Sequence, residues 1–83
     1  MTTIIGIKLS NRIEQSAQVQ EILSDFGSFI STRLGLHFFN NGVCQEKGLI
    51  LLEVINAQIV PTLQKALCSI EGIELQQMVF ENS

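Results

Sequence analysis

The chain alternates between two hydrophobic periods in an order that few folds allow. Residues 3–9 carry apolar side chains at every second position, with Ile5 and Ile7 on one face, and this spacing predicts a β-strand. The next apolar positions, from Val19 to Ile30, recur three and four residues apart, which predicts an amphipathic helix. Both periods then return further along the chain, so we expect a sheet packed against helices.

Both ends of the first helix carry sequence signals. Asn11 followed by Glu14 has the form of a capping box, in which two residues satisfy each other's backbone N–H groups. Gly35 stands shortly after the last periodic residue, where glycine commonly ends a helix. We therefore predict the first helix over residues 12–32.

Two strands follow this helix. Residues 36–39 and 49–55 are rich in aliphatic and aromatic side chains, which favour strands. Two turn signals, Asn41-Gly42 and Lys47-Gly48, lie between them. The pattern predicts a hairpin with a long or bulged connection.

A second helix and a last strand complete the chain. Pro61, which is tolerated in a first helical turn, opens an apolar stripe that Gly72 ends. We predict this helix over residues 58–71 and the last strand over residues 73–80.

The predicted order is strand, helix, strand, strand, helix, strand. Because crossovers between parallel strands are right-handed, both helices fall on one face of a four-stranded antiparallel sheet. This is the α+β ferredoxin-like βαββαβ sandwich, and we expect a single domain over residues 1–83. The residues predicted to face the helices are Ile5, Ile7, Leu9, Ile50, Leu52, Val54, Ile73 and Leu75.

The opposite face of the sheet is predicted to be apolar, with Lys8 and Glu53 as its charged members. A solitary antiparallel sheet normally presents polar residues to solvent, and a large apolar patch is normally covered. A two-fold homodimer, or a dimer of dimers, is the simplest cover. The predicted interface residues are Ile4, Gly6, Leu49, Leu51, Ile55, Met78 and Phe80, with His37 or Phe39 added from the neighbouring strand.

Composition excludes several classes of function. With 46% hydrophobic and 16% charged residues, the chain is not intrinsically disordered. A net charge of −3 with five Lys and Arg argues against direct nucleic-acid binding. The two cysteines form no disulfide framework, and the sequence has no recognisable signal peptide or membrane span. We expect a cytoplasmic protein that does not enter a membrane.

The sequence shows no complete catalytic set. His37 is the only histidine, and no acidic residue is placed by sequence to orient it as a base, so we expect neither an enzyme nor a bound cofactor. Cys44 lies seven residues further on and could approach His37 in space. The two residues leave open a metal half-site that a symmetry mate would complete, whereas a metal site within one chain is not expected.

Arg33, close to Gly35, leaves two alternatives open. It could hold an anion at the junction of the first helix and the following strand, or it could pair with Asp25, Glu46 or Glu53. The predicted ligand-binding residues are Arg33, His37 and Cys44.

The segments Val-Gln-Glu-Ile-Leu-Ser-Asp-Phe-Gly (residues 19–27) and Thr-Arg-Leu-Gly-Leu (residues 32–36), with the strand pair after them, resemble the small iron-only hydrogenase system regulators. The helix that ends at Gly72 before Ile73 also fits the wider ACT-type pattern. The resemblance covers residues 4–80. It implies an ACT-like fold, related to the ligand-sensing domain of the nickel-responsive repressor, and regulation exerted through another protein.

Two functions are compatible with these features. The first is a regulatory module that self-associates, binds a small effector at a subunit interface near Arg33 and His37, and acts through a partner protein. The alternative is a structural association module that binds no ligand.

Overall fold

The computed structural model describes the backbone of residues 1–40 and 43–81, and the side chains of residues 1–36 and 47–81. The helices and strands follow the predicted order, and short 3-10 turns precede β2 and α2 at Gly27–Phe29 and Ala57–Ile59. The elements are β1 (Thr2–Leu9), α1 (Arg12–Asp25), β2 (Ile30–Asn40), β3 (Val43–Val54), α2 (Val60–Cys68) and β4 (Ile73–Phe80). In this described part of the chain, neither helix has the length and hydropathy needed to cross a membrane.

The strands form one antiparallel sheet in the order β2-β3-β1-β4, which confirms the predicted ferredoxin-like fold. The central strands are β1 and β3. Their register places Ile5 opposite Leu52, and Gly6 opposite Leu51. Successive residues along each strand therefore alternate between the helix side and the uncovered side of the sheet.

The core lies between the sheet and the two helices. The predicted helix-facing residues of β1 and β3 are all buried, and those of β4 are half-buried against the same cluster. Val19 and Leu23 from α1, and Leu63 and Leu67 from α2, are fully buried opposite them. The predicted core is therefore confirmed: Ile5, Ile7, Leu9, Ile50, Leu52, Val54, Ile73 and Leu75.

The predicted C-terminal end of α1 was wrong. The helix stops at Asp25, and Gly27–Phe29 forms a 3-10 turn in which the Phe29 N–H donates to the Phe26 carbonyl at 2.9 Å. From Ile30 onward the chain pairs with β3 instead. Phe26 and Ile30 keep the helical spacing because this tighter turn still packs both of them against the core.

The predicted limits of the hairpin strands were also too narrow. Gly35 does not end a helix but lies inside β2 opposite Ile50, and Gly48 is not in a turn but lies inside β3 opposite Leu9. The Asn41-Gly42 turn signal lies outside the described residues. Long-range pairing thus extends both strands into segments whose local sequence favours turns or helix.

The N-terminal cap of α1 is built differently from the predicted capping box. Asn11 Oδ1 accepts from the Glu14 N–H at 3.3 Å, as expected, but the Asn11 N–H donates to Gln15 Oε1 at 2.9 Å. The buried Gln15 also donates from Nε2 to the Glu71 carbonyl at 2.8 Å and to Ser10 Oγ at 3.1 Å. One amide therefore joins the start of α1 to the turn before β4.

Candidate functional site

The uncovered side of the sheet is mostly apolar, as predicted. Cross-strand register sets its central rows: Leu34 stands opposite Leu51, and Leu36 stands opposite Leu49. Ile4, on β1, stands between Glu53 and Met78. We call this surface the open face; its apolar members are Ile4, Leu34, Leu36, Leu49, Leu51, Met78 and Phe80.

The outer strands leave the open face most exposed. Leu34 is 51% exposed and Leu36 is 40% exposed on β2, while Met78 and Phe80 are 57% and 48% exposed on β4. Ile4, Leu49 and Leu51 on the central strands are half-buried by these neighbours. A row of exposed leucines beside half-buried ones is costly to leave in water.

Leu34 was missed by the sequence analysis because residues up to 32 were assigned to the helix and the strand was begun at residue 36. Its alternation with Leu36 is the signal that could have placed it on the open face. Ile55, a predicted interface residue, lies one residue past the end of β3 and is 60% exposed. Its role as an interface residue stays a prediction, as does that of every other residue on the face.

Gly6 lies at the centre of the open face. A Cβ built on it would lie 3.7 Å from Leu51 Cδ2 and 4.0 Å from the Gln76 carbonyl oxygen, which are ordinary contact distances. Crowding within the chain therefore does not require glycine here. The missing side chain leaves a shallow depression beside Leu51.

Two charged residues, Lys8 and Glu53, lie on the two central strands of the open face. Lys8 is opposite Leu49 and Glu74, near one end of the face, and Glu53 is opposite Ile4 and Thr32, near the other end. Ser31 Oγ and Thr32 Oγ1 donate to Glu53 Oε1 at 2.9 and 3.4 Å.

The structure places Arg33 on β2 opposite Leu52, with its side chain exposed. It borders an open cavity of about 240 Å³ at the C-terminal end of α1, which Gly27 and Ser31 also line. The predicted alternatives of an ion pair with Asp25 or Glu53 are not realised among the described side chains, where Glu53 accepts from Ser31 and Thr32. The third alternative, Glu46, lies outside the described side chains.

The other two predicted ligand residues are placed only by their backbone. His37 stands opposite Gly48, and Cys44 stands opposite Phe39, with an irregularity in the register between residues 37 and 39. The side chains of His37, Phe39 and Cys44 lie outside the described residues, so the metal half-site and the contribution of His37 or Phe39 to the open face stay predictions. Among the described residues, no group of three potential metal ligands comes together.

A second cavity, which the sequence did not reveal, lies between the start of α1 and the hairpin. It has a volume of about 100 Å³, and its walls include Arg12, Ser16 and Gln20 from α1. Gly35 and Gly48 line the hairpin side. We call it the α1 cleft.

The two glycines differ in what lies above them. A Cβ on Gly48 would lie 3.2 Å from Arg12 Cδ, so the arginine stem rests on that glycine. A Cβ on Gly35 would have no neighbour within 4 Å, so it would project into open space. On β2, Gly35 is two residues from Arg33, which lines the cavity at the C-terminal end of α1 and not this cleft.

Several solved structures share this architecture. An uncharacterised protein of Thermotoga maritima aligns with a TM-score of 0.76 and 22% identity over 93% of this chain and 92% of that one. The ACT domain from the GTP pyrophosphokinase of Chlorobium tepidum aligns with a TM-score of 0.58 and 15% identity, over 100% and 91%. The PII-like protein CutA from Nostoc sp. PCC 7120 aligns with a TM-score of 0.56 and 14% identity, over 99% and 83%.

These likenesses define the class of fold. The chain has an ACT-like, ferredoxin-like α+β fold, and its neighbours include an ACT domain and a PII-like protein. No protein-family model and no curated protein sequence matches the chain. Identities below a quarter show a common fold and nothing about ligand or pathway.

Proposed function

We propose that this chain is a small ACT-like regulatory module that self-associates through the open face and binds a small effector beside the resulting interface. The observation that carries the proposal is the open face itself, where Leu34, Leu36, Leu49 and Leu51 form a contiguous apolar block on two neighbouring strands. A second copy is the occupant, because a two-fold dimer needs only one self-complementary surface.

The α1 cleft is our candidate effector site. Leu36 and Leu49 belong to the open face and also line this cleft, so a ligand bound there would contact, from the helix side of the sheet, the two strands that carry the proposed interface. Arg12 supplies positive charge, and Ser16 and Gln20 supply hydroxyl and amide groups. Arginine matches a carboxylate in charge and geometry, and about 100 Å³ admits only a small molecule or one end of a larger one. We propose a small carboxylate as the ligand class.

We also propose, from the resemblance to iron-only hydrogenase system regulators, that the regulated pathway is hydrogenase maturation. Regulation would be exerted through a partner protein in the cytoplasm, without catalysis by this chain. One structural neighbour is an ACT domain from a larger enzyme, which fits a module that works with another protein. Genes for hydrogenase maturation beside the gene for this chain would support that pathway.

The alternative is a structural association module that binds no ligand. The small volume of the α1 cleft favours it, because a ligand with many contacts does not fit there. Both functions require self-association and differ only in the effector.

We expect sedimentation equilibrium at micromolar concentration to show a species of at least twice the 9.2 kDa mass of one chain. The physical reason is that monomers would expose the whole open face to water. A single 9.2 kDa species over the full concentration range would contradict self-association. That result would contradict both the regulatory function and the structural alternative, because both require self-association.

Gly35→Ala tests the effector site separately. The added methyl group would enter open space above β2, so we expect the unfolding free energy to stay within about 1 kcal/mol of the unsubstituted protein. The same methyl group occupies part of the α1 cleft, so a small carboxylate that raises the melting temperature of the unsubstituted chain should no longer do so.

The measurement is a thermal-shift screen of amino acids and short-chain carboxylates on both proteins. Gly27→Ala is the matched control, since a Cβ there also meets nothing within 4 Å and Gly27 does not line the α1 cleft. A flat screen on the unsubstituted chain would favour the structural reading, and an equal shift in Gly35→Ala would place the ligand elsewhere.

A further inference from the structure

We infer that the two copies pack with their sheets crossed obliquely, so that Lys8 of each copy pairs with Glu53 of the other. This inference rests on the proposed self-association through the open face and adds its register. It follows from where Lys8 and Glu53 lie on the two central strands of this face, whose outer strand β4 adds Glu74 beside Lys8 and Gln76 beside Gly6. The partner is a second copy of this chain, identified by its charge complementarity.

The two charges occupy diagonal positions about the centre of the open face. Lys8 and Leu49 form one cross-strand row, and Ile4 and Glu53 form another, four residues away along both strands. At about 3.4 Å per residue and about 4.8 Å between strands, the two Cα atoms are separated by roughly 14 Å. Gly6 and Leu51 form the row midway between them.

The orientation of the two-fold axis decides what each charge meets. For two sheets stacked face to face, this axis lies in the plane between them. An axis parallel to the strands, through the centre of the face, would set Lys8 over the partner's Leu49 and Glu53 over the partner's Ile4. An axis at right angles to the strands would set Lys8 over the partner's Ile4 and Glu53 over the partner's Leu49.

Both of these arrangements bury charges against aliphatic side chains. A charge removed from water without a partner is strongly unfavourable. An oblique axis, perpendicular to the line that joins Lys8 to Glu53, instead places each lysine over the partner's Glu53. The strands of the two sheets then cross at about 40°, close to the roughly 30° of aligned sheet packing.

The same oblique axis also satisfies the apolar residues. Leu51 lies close to the axis and therefore meets the partner's Leu51, next to the depressions left by the two Gly6 residues. Leu34, Leu36 and Leu49 fall on the same three residues of the other copy. Sheets in such stacks lie about 10 Å apart, a gap that a lysine and a glutamate span together.

Hydrogen bonds within one chain already orient the Glu53 carboxylate. Ser31 Oγ and Thr32 Oγ1 both donate to Oε1, and within the described part of the chain Oε2 has no hydrogen-bond donor. Lys8 is exposed and has no ion pair or side-chain hydrogen bond with a described residue. Each therefore keeps capacity for a partner across the interface.

The test uses the single variants Lys8→Glu and Glu53→Lys, alone and mixed. In either variant alone, both cross-subunit pairs become like-charged, so we expect the dimer dissociation constant to rise at least about 10-fold. In an equimolar mixture, one chain carries glutamate at both positions and the other carries lysine at both. The heterodimer should therefore form with a dissociation constant within about threefold of the unsubstituted homodimer, because both pairs are again of opposite charge.

Native mass spectrometry with one chain labelled with ¹⁵N separates homodimers from heterodimers, and analytical ultracentrifugation gives the dissociation constants. Lys65→Glu on α2 and Glu21→Lys on α1 are the matched controls, since they make the same charge changes on helix positions away from the open face. Mixed controls should give homodimers and heterodimers in statistical proportion. Reduced stability of either test variant cannot produce selective heterodimers, so poor folding does not imitate the expected result.

Each other outcome has a distinct meaning. If Lys8→Glu and Glu53→Lys self-associate as the unsubstituted chain does and mix statistically, the oblique register is overturned while the open-face dimer stands. If the unsubstituted chain is monomeric, the proposed self-association itself fails. Assembly of both variants mixed, but of neither alone, supports the inferred pairing.

Discussion

Replacing Gly72 with alanine is expected to lower the free energy of unfolding by about 3 kcal/mol. Gly72 has φ +88°, a backbone conformation that costs other residues roughly 1–2 kcal/mol. An alanine Cβ would also lie 2.6 Å from Gln15 Nε2 and 2.9 Å from Ser10 Oγ, so Gln15 must move. Its hydrogen bonds to Ser10 and the Glu71 carbonyl would be weakened, at about 1 kcal/mol each.

Urea denaturation followed by circular dichroism measures this change, with Gly27→Ala as the reference. Gly27 has no positive φ, and an added Cβ meets no atom within 4 Å, so its replacement should change the unfolding free energy by less than about 1 kcal/mol. Equal stability of the two variants would show that the Gln15 hydrogen bonds do not hold the turn before β4 to the start of α1.

The fold could be predicted from the sequence because its buried residues recur at the regular spacings of strands and helices. Ile5, Ile7 and Leu9 alternate on β1, and Leu63 and Leu67 repeat at helical spacing on α2. All five are buried where the periods place them. A right-handed crossover then leaves one arrangement for the sheet and its two helices.

The boundary between α1 and β2 could not be predicted in the same way. Phe26, Phe29 and Ile30 satisfy the helical period, yet Ile30 is in a strand. What decides is the pairing of Ile30 with Val54, which lies 24 positions further along the chain. Local propensity contains no information about such a partner, so the first three residues of β2 were assigned to the helix.

The two candidate sites differ in the same way: the open face follows from local periodicity, whereas the α1 cleft depends on a long-range contact. The open face was predicted largely correctly, since it is the complement of a periodic core. Leu34 was lost through the misplaced boundary, and Leu36 was missed because His37 or Phe39 was expected on this face from the same strand. The α1 cleft was missed because it depends on Arg12 lying over Gly48, a contact across 36 positions. Gly35 was interpreted as the end of a helix and Gly48 as part of a turn. Both instead lie inside strands, where the absence of a side chain leaves room for the α1 cleft.

Replacing Leu51 with lysine is expected to abolish dimer formation at micromolar concentration. Leu51 lies in the central row of the open face between Leu34 and Gly6, so each dimer would lose two buried leucines. Burial of one leucine contributes about 1.5 kcal/mol or more, so the two copies together should raise the dissociation constant at least about 100-fold. Two lysines brought face to face add repulsion.

Sedimentation equilibrium of Leu51→Lys beside Ile13→Lys measures this effect. Ile13 lies on α1 and is 74% exposed, so the same gain of charge at that position should leave the dimer unchanged. Because Leu51 is half-buried within its own chain, Leu34→Lys provides a second variant on a side chain that is 51% exposed. Its circular dichroism spectrum should match that of the unsubstituted chain while its dimer is lost. Dimers that persist in both open-face variants would place the interface elsewhere, on a helix surface or a strand edge, and the covering of the open face would then have to come from a different protein.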